Sequence, residues 1–189
     1  MNDPNVLQNL KTYENVALSD DQLMHLIGGK AKLVLYPQLV DFDNIDQVLG
    51  KHKACILLFE AKPSYGHWTC LFRNGDNIEF FNPYGGFPDD SLKSISMSFR
   101  KVSNQDIPYL SVLMLESPYK LFYNEHDFQK HANNIRTCGR HCAVRLIFRE
   151  LTLNEYDDMI KSMCKKMSMS PDEIVSLITA MPSQLSRKS

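Results

Sequence analysis

The chain has 189 residues, 43% of them apolar, and its 21 basic side chains nearly balance 22 acidic ones. That length and apolar share suffice for one sizeable hydrophobic core, and no break in composition marks a second domain. Balanced charge without long runs of one sign removes the electrostatic argument for nucleic acid or a lipid surface as the main partner, and no stretch approaches the roughly 18 apolar residues of a membrane span. Met1-Asn2-Asp3-Pro4 carries no signal-peptide pattern, so the expectation is one domain over residues 1–189, made in the cytosol and soluble. Residues 1–15 form an N-terminal arm and residues 182–189 a frayed polar tail in this reading.

In chain order, Ser19-Asp20-Asp21-Gln22 followed by Leu23, Met24, Leu26 and Ile27 predicts a capped helix closed by Gly28-Gly29. A strand over Lys32 to Tyr36 follows. Ala54 to Phe81 is rich in β-branched and aromatic residues and is punctuated at Pro63-Ser64-Tyr65-Gly66 and Asn74-Gly75-Asp76-Asn77, which predicts three strands joined by two turns. Residues 82–90 read as a loop before a mixed region, and Tyr119 to Tyr123 as another strand. From Cys138 the pattern turns helical: one helix running on to Leu151, a second over Asn154 to Met167, and a third over Ser170 to Ala180 with Pro171 in its first turn. The elements predict an α+β fold with a central, mostly antiparallel sheet flanked by helices.

Five cysteines without a signal peptide argue for reduced thiols rather than a disulfide framework. Cys55 and Cys70 fall in apolar strand-like runs and read as small core residues, and Cys164 lies in a helix with no histidine nearby. Cys138 and Cys142 sit in a polar motif, Thr137-Cys138-Gly139-Arg140-His141-Cys142, at the predicted start of a helix. There the unpaired backbone N–H groups and the positive end of the helix dipole favour a thiolate. The Cys138 amide is also positioned to donate to an oxyanion, and Gly139 permits close approach of a substrate backbone.

Two earlier motifs complete a chemical set. His67, in Tyr65-Gly66-His67-Trp68, stands where a turn meets a strand, an edge position from which an imidazole faces a cleft. Asn82, in Phe80-Phe81-Asn82-Pro83-Tyr84-Gly85, follows a strand and has an amide oxygen able to accept the imidazole N–H. The order reads as base, orienting group and thiol nucleophile. Each residue alone has a plainer reading: a packed strand-edge histidine, a turn asparagine, a cysteine that merely starts a helix. Trp68 walls the site or is an ordinary core aromatic; Arg136 and Arg140 bind substrate, favour the thiolate or are solvated. His141 and Cys142, with Cys138 and His67, form a rival set of zinc ligands, although no second pair with finger-like spacing accompanies them.

Together the three motifs resemble those of the adenain and SUMO-protease clan of cysteine proteases. Gly66-His67-Trp68 resembles that clan's His-Trp pair, Phe81-Asn82-Pro83-Tyr84-Gly85 resembles adenain's Phe-Glu-Pro-Phe-Gly, and Cys138-Gly139 opens a helix as in the clan. A closer similarity is to proteases of large DNA viruses and virophages, and the match covers roughly residues 18–150. The resemblance implies a buried helix with the nucleophile at its N-terminus, and Cys138, His67 and Asn82 as nucleophile, base and orienting residue. Many relatives carry Asp or Glu where this chain has Asn82. The clan's oxyanion glutamine stands six or seven residues before the cysteine, where this chain has Ala132 and His131; Gln129, nine residues ahead, is the candidate, with Asn133 or Asn134 as substitutes.

The implied activity is a cysteine endopeptidase that needs no cofactor. It cleaves after small residues, glycine above all, and processes virion structural proteins in the host cytoplasm and the particle, with an activating peptide or nucleic acid as a further partner. An isopeptidase for ubiquitin-like modifiers is the alternative, and a non-catalytic or zinc-binding scaffold the more distant one. Leu26-Ile27-Gly28-Gly29 also resembles the cleavage sequences of adenain-like enzymes, against its plainer reading as a helix stop.

Overall fold

The computed structural model describes residues 4–63 and 65–180, so the expected tail over 182–189 lies outside the described residues. The fold is α+β. Five strands lie in sequence order, β1 (Lys32–Leu35), β2 (Ala54–Lys62), β3 (Tyr65–Asn74), β4 (Asn77–Phe81) and β5 (Lys120–Tyr123). β2, β3 and β4 pair antiparallel through the two predicted turns, with Ile56 opposite Cys70 and Cys70 opposite Phe81. The outer strands break the expectation of a mostly antiparallel sheet, because β1 runs parallel to β2 and β5 parallel to β4. Tight turns force antiparallel neighbours, whereas a parallel pair needs a long crossover. The segments between β1 and β2 and between β4 and β5 are such crossovers, carrying α3 (Ile45–Leu49) in the first and α4 (Met97–Val102) and α5 (Tyr109–Leu115) in the second.

Seven residues of β2, Ala54 to Glu60, are buried, because both faces of the sheet are covered. Alternation along the strand divides them. Ala54, Ile56 and Leu58, with Cys70, Phe72 and Phe81, face one core; Cys55, Leu57 and Phe59, with Leu71, Ile78 and Phe80, face the other. The first core is closed by α2 (Asp20–Leu26), α6 (Cys138–Ile147), α7 (Leu153–Met167) and α8 (Pro171–Ile178), the second by the crossover segments. Cys55, Cys70 and Cys142 are buried among these side chains.

Local signals set the helix ends. Ser19 accepts from the Gln22 amide at 3.3 Å while the Gln22 side chain accepts from the Ser19 amide at 3.0 Å, and Ser170 with Glu173 repeats this reciprocal cap ahead of Pro171. The expected N-terminal arm is a helix, α1 (Pro4–Asn15), packed on α8. α6 stops at Ile147 rather than reaching Leu151. The cause is tertiary: Arg145, fully buried, holds Glu79 of β4 through two hydrogen bonds of 2.7 and 2.8 Å and donates to the carbonyls of Phe148 and Leu151 at 2.8 Å each, which turns the chain away from the helix axis. No helix among the described residues is long and apolar enough to cross a membrane.

Candidate active site

α6 lies against β3, so the first residue of the helix comes to the end of the strand that carries His67 and Trp68. Two glycines make the local backbone possible. A Cβ on Gly66 would stand 1.8 Å from the Phe59 carbonyl oxygen, and one on Gly85, where φ is +72°, would meet the Glu125 carbonyl at 2.5 Å. Neither position admits a side chain.

Asn82 has every polar function satisfied. Its Nδ2 donates to the Gly85 carbonyl at 2.6 Å and to Ser91 Oγ at 3.4 Å, and its Oδ1 accepts from the Tyr84 amide at 3.0 Å. Asn124, buried beneath it, accepts from the Asn82 amide at 2.9 Å and donates to its carbonyl at 2.6 Å. Because a carbonyl can only accept, the Gly85 contact fixes which end of the Asn82 amide is nitrogen, and Oδ1 therefore faces His67 Nε2 at 2.7 Å. The imidazole proton sits on Nε2 as a result, and Nδ1 keeps its lone pair.

His67, Trp68 and Cys138 line one cleft of about 330 Å³, together with Leu18, Gly66, Tyr84, Gln129 and Arg136. Burial raises the Cys138 thiol pKa, against which the backbone N–H groups of Trp68, Gly139 and Cys138 itself act on the sulfur. Burial likewise lowers His67, to about 4, with the Asn82 bond opposing. Both shifts disfavour charge, so the resting site holds a thiol and a neutral imidazole.

The remaining sequence candidates fall in different places. Trp68 is buried yet lines the cleft, and Gly139 is buried beside it, where a Cβ would lie 3.4 Å from Trp68 Cδ1 and 3.7 Å from Leu23, at ordinary contact distance. Arg136 is exposed at the cleft, its amide donating to the Glu14 carbonyl of α1 at 2.6 Å. Arg140 is no solvated helix-end arginine. It is buried, donates to Thr179 Oγ1 at 2.8 Å, and has its pKa lowered to about 10 by burial. Gln129 reaches the cleft, where its Nε2 donates to Tyr84 Oη at 3.1 Å and the Ile135 carbonyl at 3.4 Å. Asn133 lines a neighbouring cleft, on which His67 and Asn82 also open.

His141 points away from the cleft, its Nε2 lying 3.1 Å from Asp172 Oδ1, and Cys142 is fully buried. No group of three or more His, Cys, Asp or Glu side chains placed to hold a metal ion occurs among the described residues. Gly28 and Gly29 take φ of +60° and +65° in a tight turn closing α2, with the Gly29 amide donating to the Met24 carbonyl at 3.0 Å. A compact turn of that kind is a helix stop, not the extended strand that a peptidase cleft accepts.

Three participants escape sequence reasoning. Tyr84 stacks on His67 with ring centroids 4.6 Å apart and on His131 at 4.2 Å. Asn124 grips the Asn82 backbone from another strand end, and Asp172 binds Thr137, the residue before Cys138, together with the Lys130 amide at 3.0 Å. Tyr84 stands inside a recognised motif and its aromatic character is the available signal; the other two act across 42 and 35 residues of sequence and give none.

No family model matches the sequence. The chain is 52% identical over 174 residues to the uncharacterized protein V9 of Sputnik virophage, a match covering 92% of this chain and 99% of that protein. At that identity and coverage, this chain belongs to the family of that virophage protein.

Proposed function

We propose that the protein is a cysteine endopeptidase of adenain-like arrangement, with Cys138 as nucleophile, His67 as base and Asn82 as its orienting residue. The observation that carries this reading is the 2.7 Å bond from His67 Nε2 to a fully tethered Asn82, which leaves Nδ1 as the basic atom in a cleft shared with Cys138. As the sulfur attacks the scissile carbonyl carbon, the thiol proton passes to His67 Nδ1 and the carbonyl π electrons move onto oxygen. His67 then protonates the departing amine, and a water molecule deprotonated by the same imidazole releases the acyl group from sulfur. The Cys138 amide, unused by the helix, and a side-chain donor from the Gln129–Tyr84 pair stabilise the tetrahedral oxyanion.

Glycine next to the scissile bond suits a cleft walled by Leu18, Trp68 and Tyr84. The exposed guanidinium of Arg136 is placed to meet acceptors on an extended substrate. The virophage relative supports a viral setting, in which virion proteins are the natural substrates. The test is cleavage of a peptide library with glycine at P1 and P2, under reducing conditions with chelator, by the full chain and by Cys138→Ala. Cleavage that depends on Cys138 and ignores chelator is expected; cleavage that survives the substitution overturns the nucleophile assignment.

A further inference from the structure

Gln129 is 1% exposed, and the direction of its amide is dictated by its neighbours. The Ile135 carbonyl at 3.4 Å can only accept, so the nearby amide atom is Nε2, and its two hydrogens go to Ile135 O and Tyr84 Oη. The atom left over is Oε1, buried and without a partner. An amide so arranged has no hydrogen left for a substrate oxygen.

The Tyr84 hydroxyl is in the opposite condition. It accepts from Gln129, and among the described residues none accepts its proton. Its ring is fixed against His67, and it lines the cleft that holds Cys138. Burial raises the phenol to about 12, so the hydroxyl is a protonated donor throughout the physiological range. A donor whose lone pair is already engaged by an N–H is polarised toward giving its own hydrogen. Such a group, held before the reaction begins, is what a developing oxyanion requires.

We infer that Tyr84 Oη, seated by Gln129, is the side-chain donor that stabilises the oxyanion, and that Gln129 is a positioning residue rather than a direct donor. The inference rests on the peptidase reading above. In the step concerned, the Cys138 Sγ to carbonyl carbon bond forms, the π pair moves to oxygen, the thiol proton goes to His67, and Tyr84 donates a hydrogen bond without losing its proton.

Two measurements on the full chain test it, with Tyr84→Phe and Gln129→Ala beside the wild type. The first is the affinity of an N-acetylated peptide aldehyde ending in Gly-glycinal, whose thiohemiacetal places an oxygen where the oxyanion forms. The second is the alkylation rate of Cys138 by iodoacetamide, a displacement that forms no oxyanion. Removing one such donor costs about 10²- to 10³-fold in turnover. Tyr84→Phe is therefore expected to lose about that factor in kcat and a parallel share of aldehyde affinity, with KM and the alkylation rate close to wild type; Gln129→Ala loses less. Full aldehyde affinity and turnover in Tyr84→Phe, with the loss in Gln129→Ala instead, overturns the assignment. So does an equal fall in alkylation and aldehyde binding, which marks a structural role. A wild type that neither cleaves nor binds the aldehyde sinks the peptidase reading, and this inference with it; the other two outcomes sink the inference alone.

Discussion

Two histidines lie close to Cys138, and their surroundings differ in one respect that decides what each can do. His67 is held by Asn82 at 2.7 Å and His141 by Asp172 at 3.1 Å, so both have an oriented ring. By partner alone His141 is the better-supported base, since a carboxylate stabilises an imidazolium more than an amide does. Yet His141 is fully buried, its free Nδ1 facing protein, whereas His67 opens on the cleft that Cys138 lines. Orientation is common to both; access belongs to one. Asp172, which also takes the Thr137 hydroxyl and the Lys130 amide, is a clamp that fixes the approach to α6.

The comparison is broken most sharply by exchanging the two roles. His67→Ala is expected to lower turnover by about 10²- to 10⁴-fold with little loss of melting temperature, the usual contribution of a general base. His141→Ala should do the reverse, keeping turnover per folded molecule near the wild-type level while the melting temperature falls. Equal losses of turnover in the two variants contradict the distinction.

Next in size is Asp172→Ala, which leaves three donors without their acceptor, those of Thr137 and His141 buried, and is expected to cost about 3–5 kcal/mol in denaturant unfolding. Its pH dependence carries a sign. Burial alone would raise the Asp172 pKa, but the His141, Thr137 and Lys130 donors outweigh it and hold the carboxyl below its ordinary 3.8. A depressed folded-state value means that the stabilisation is present in full above the unfolded value and is lost as pH falls through the folded one. The stability gap between wild type and Asp172→Asn should therefore be flat at neutral pH and close only below about pH 4.

Asn82→Asp is the smaller and more pointed change. A carboxylate of nearly the same shape looks like a conservative exchange, but in this chain an oxygen would replace the Nδ2 that donates to the Gly85 carbonyl at 2.6 Å. Two acceptors forced together should cost about 1–3 kcal/mol of stability and lower turnover with it. A more active Asn82→Asp contradicts the fixed amide orientation. The least effect at neutral pH is in alkylation: with a thiol raised by burial and an imidazole lowered to about 4, the Cys138 rate should rise by about tenfold per pH unit through the neutral range and level off only above the ordinary thiol value of 9.0. A plateau between pH 4 and 8 would indicate a preformed ion pair instead.

Much of the architecture is legible in the sequence because its signals are local. Pro63 and Gly75 mark the hairpins that make β2, β3 and β4 antiparallel, and Ser19 and Ser170 mark helix starts that the structure caps in the expected way. The parallel outer strands are not legible, since direction is set by crossovers whose helices, five to seven residues long, are too short to show a period. The premature end of α6 depends on Arg145 reaching Glu79 across 66 residues. The site divides in the same way. Cys138, His67 and Asn82 sit in motifs with a chemical order, and the structure brings them to one end of β3 and the neighbouring clefts. Asn124 and Asp172 act through contacts that no spacing announces, and Arg140 is buried by the packing of α1 and α8 around it, which its place at a helix start gives no reason to expect.

The most direct test of the account is intact-mass and peptide mapping after treating the full chain with a peptide vinyl sulfone ending in glycine. The account predicts a single adduct on Cys138 among the five cysteines, lost in His67→Ala and retained in His141→Ala. No adduct, or one that falls on the half-buried Cys164 and is indifferent to His67, would contradict it.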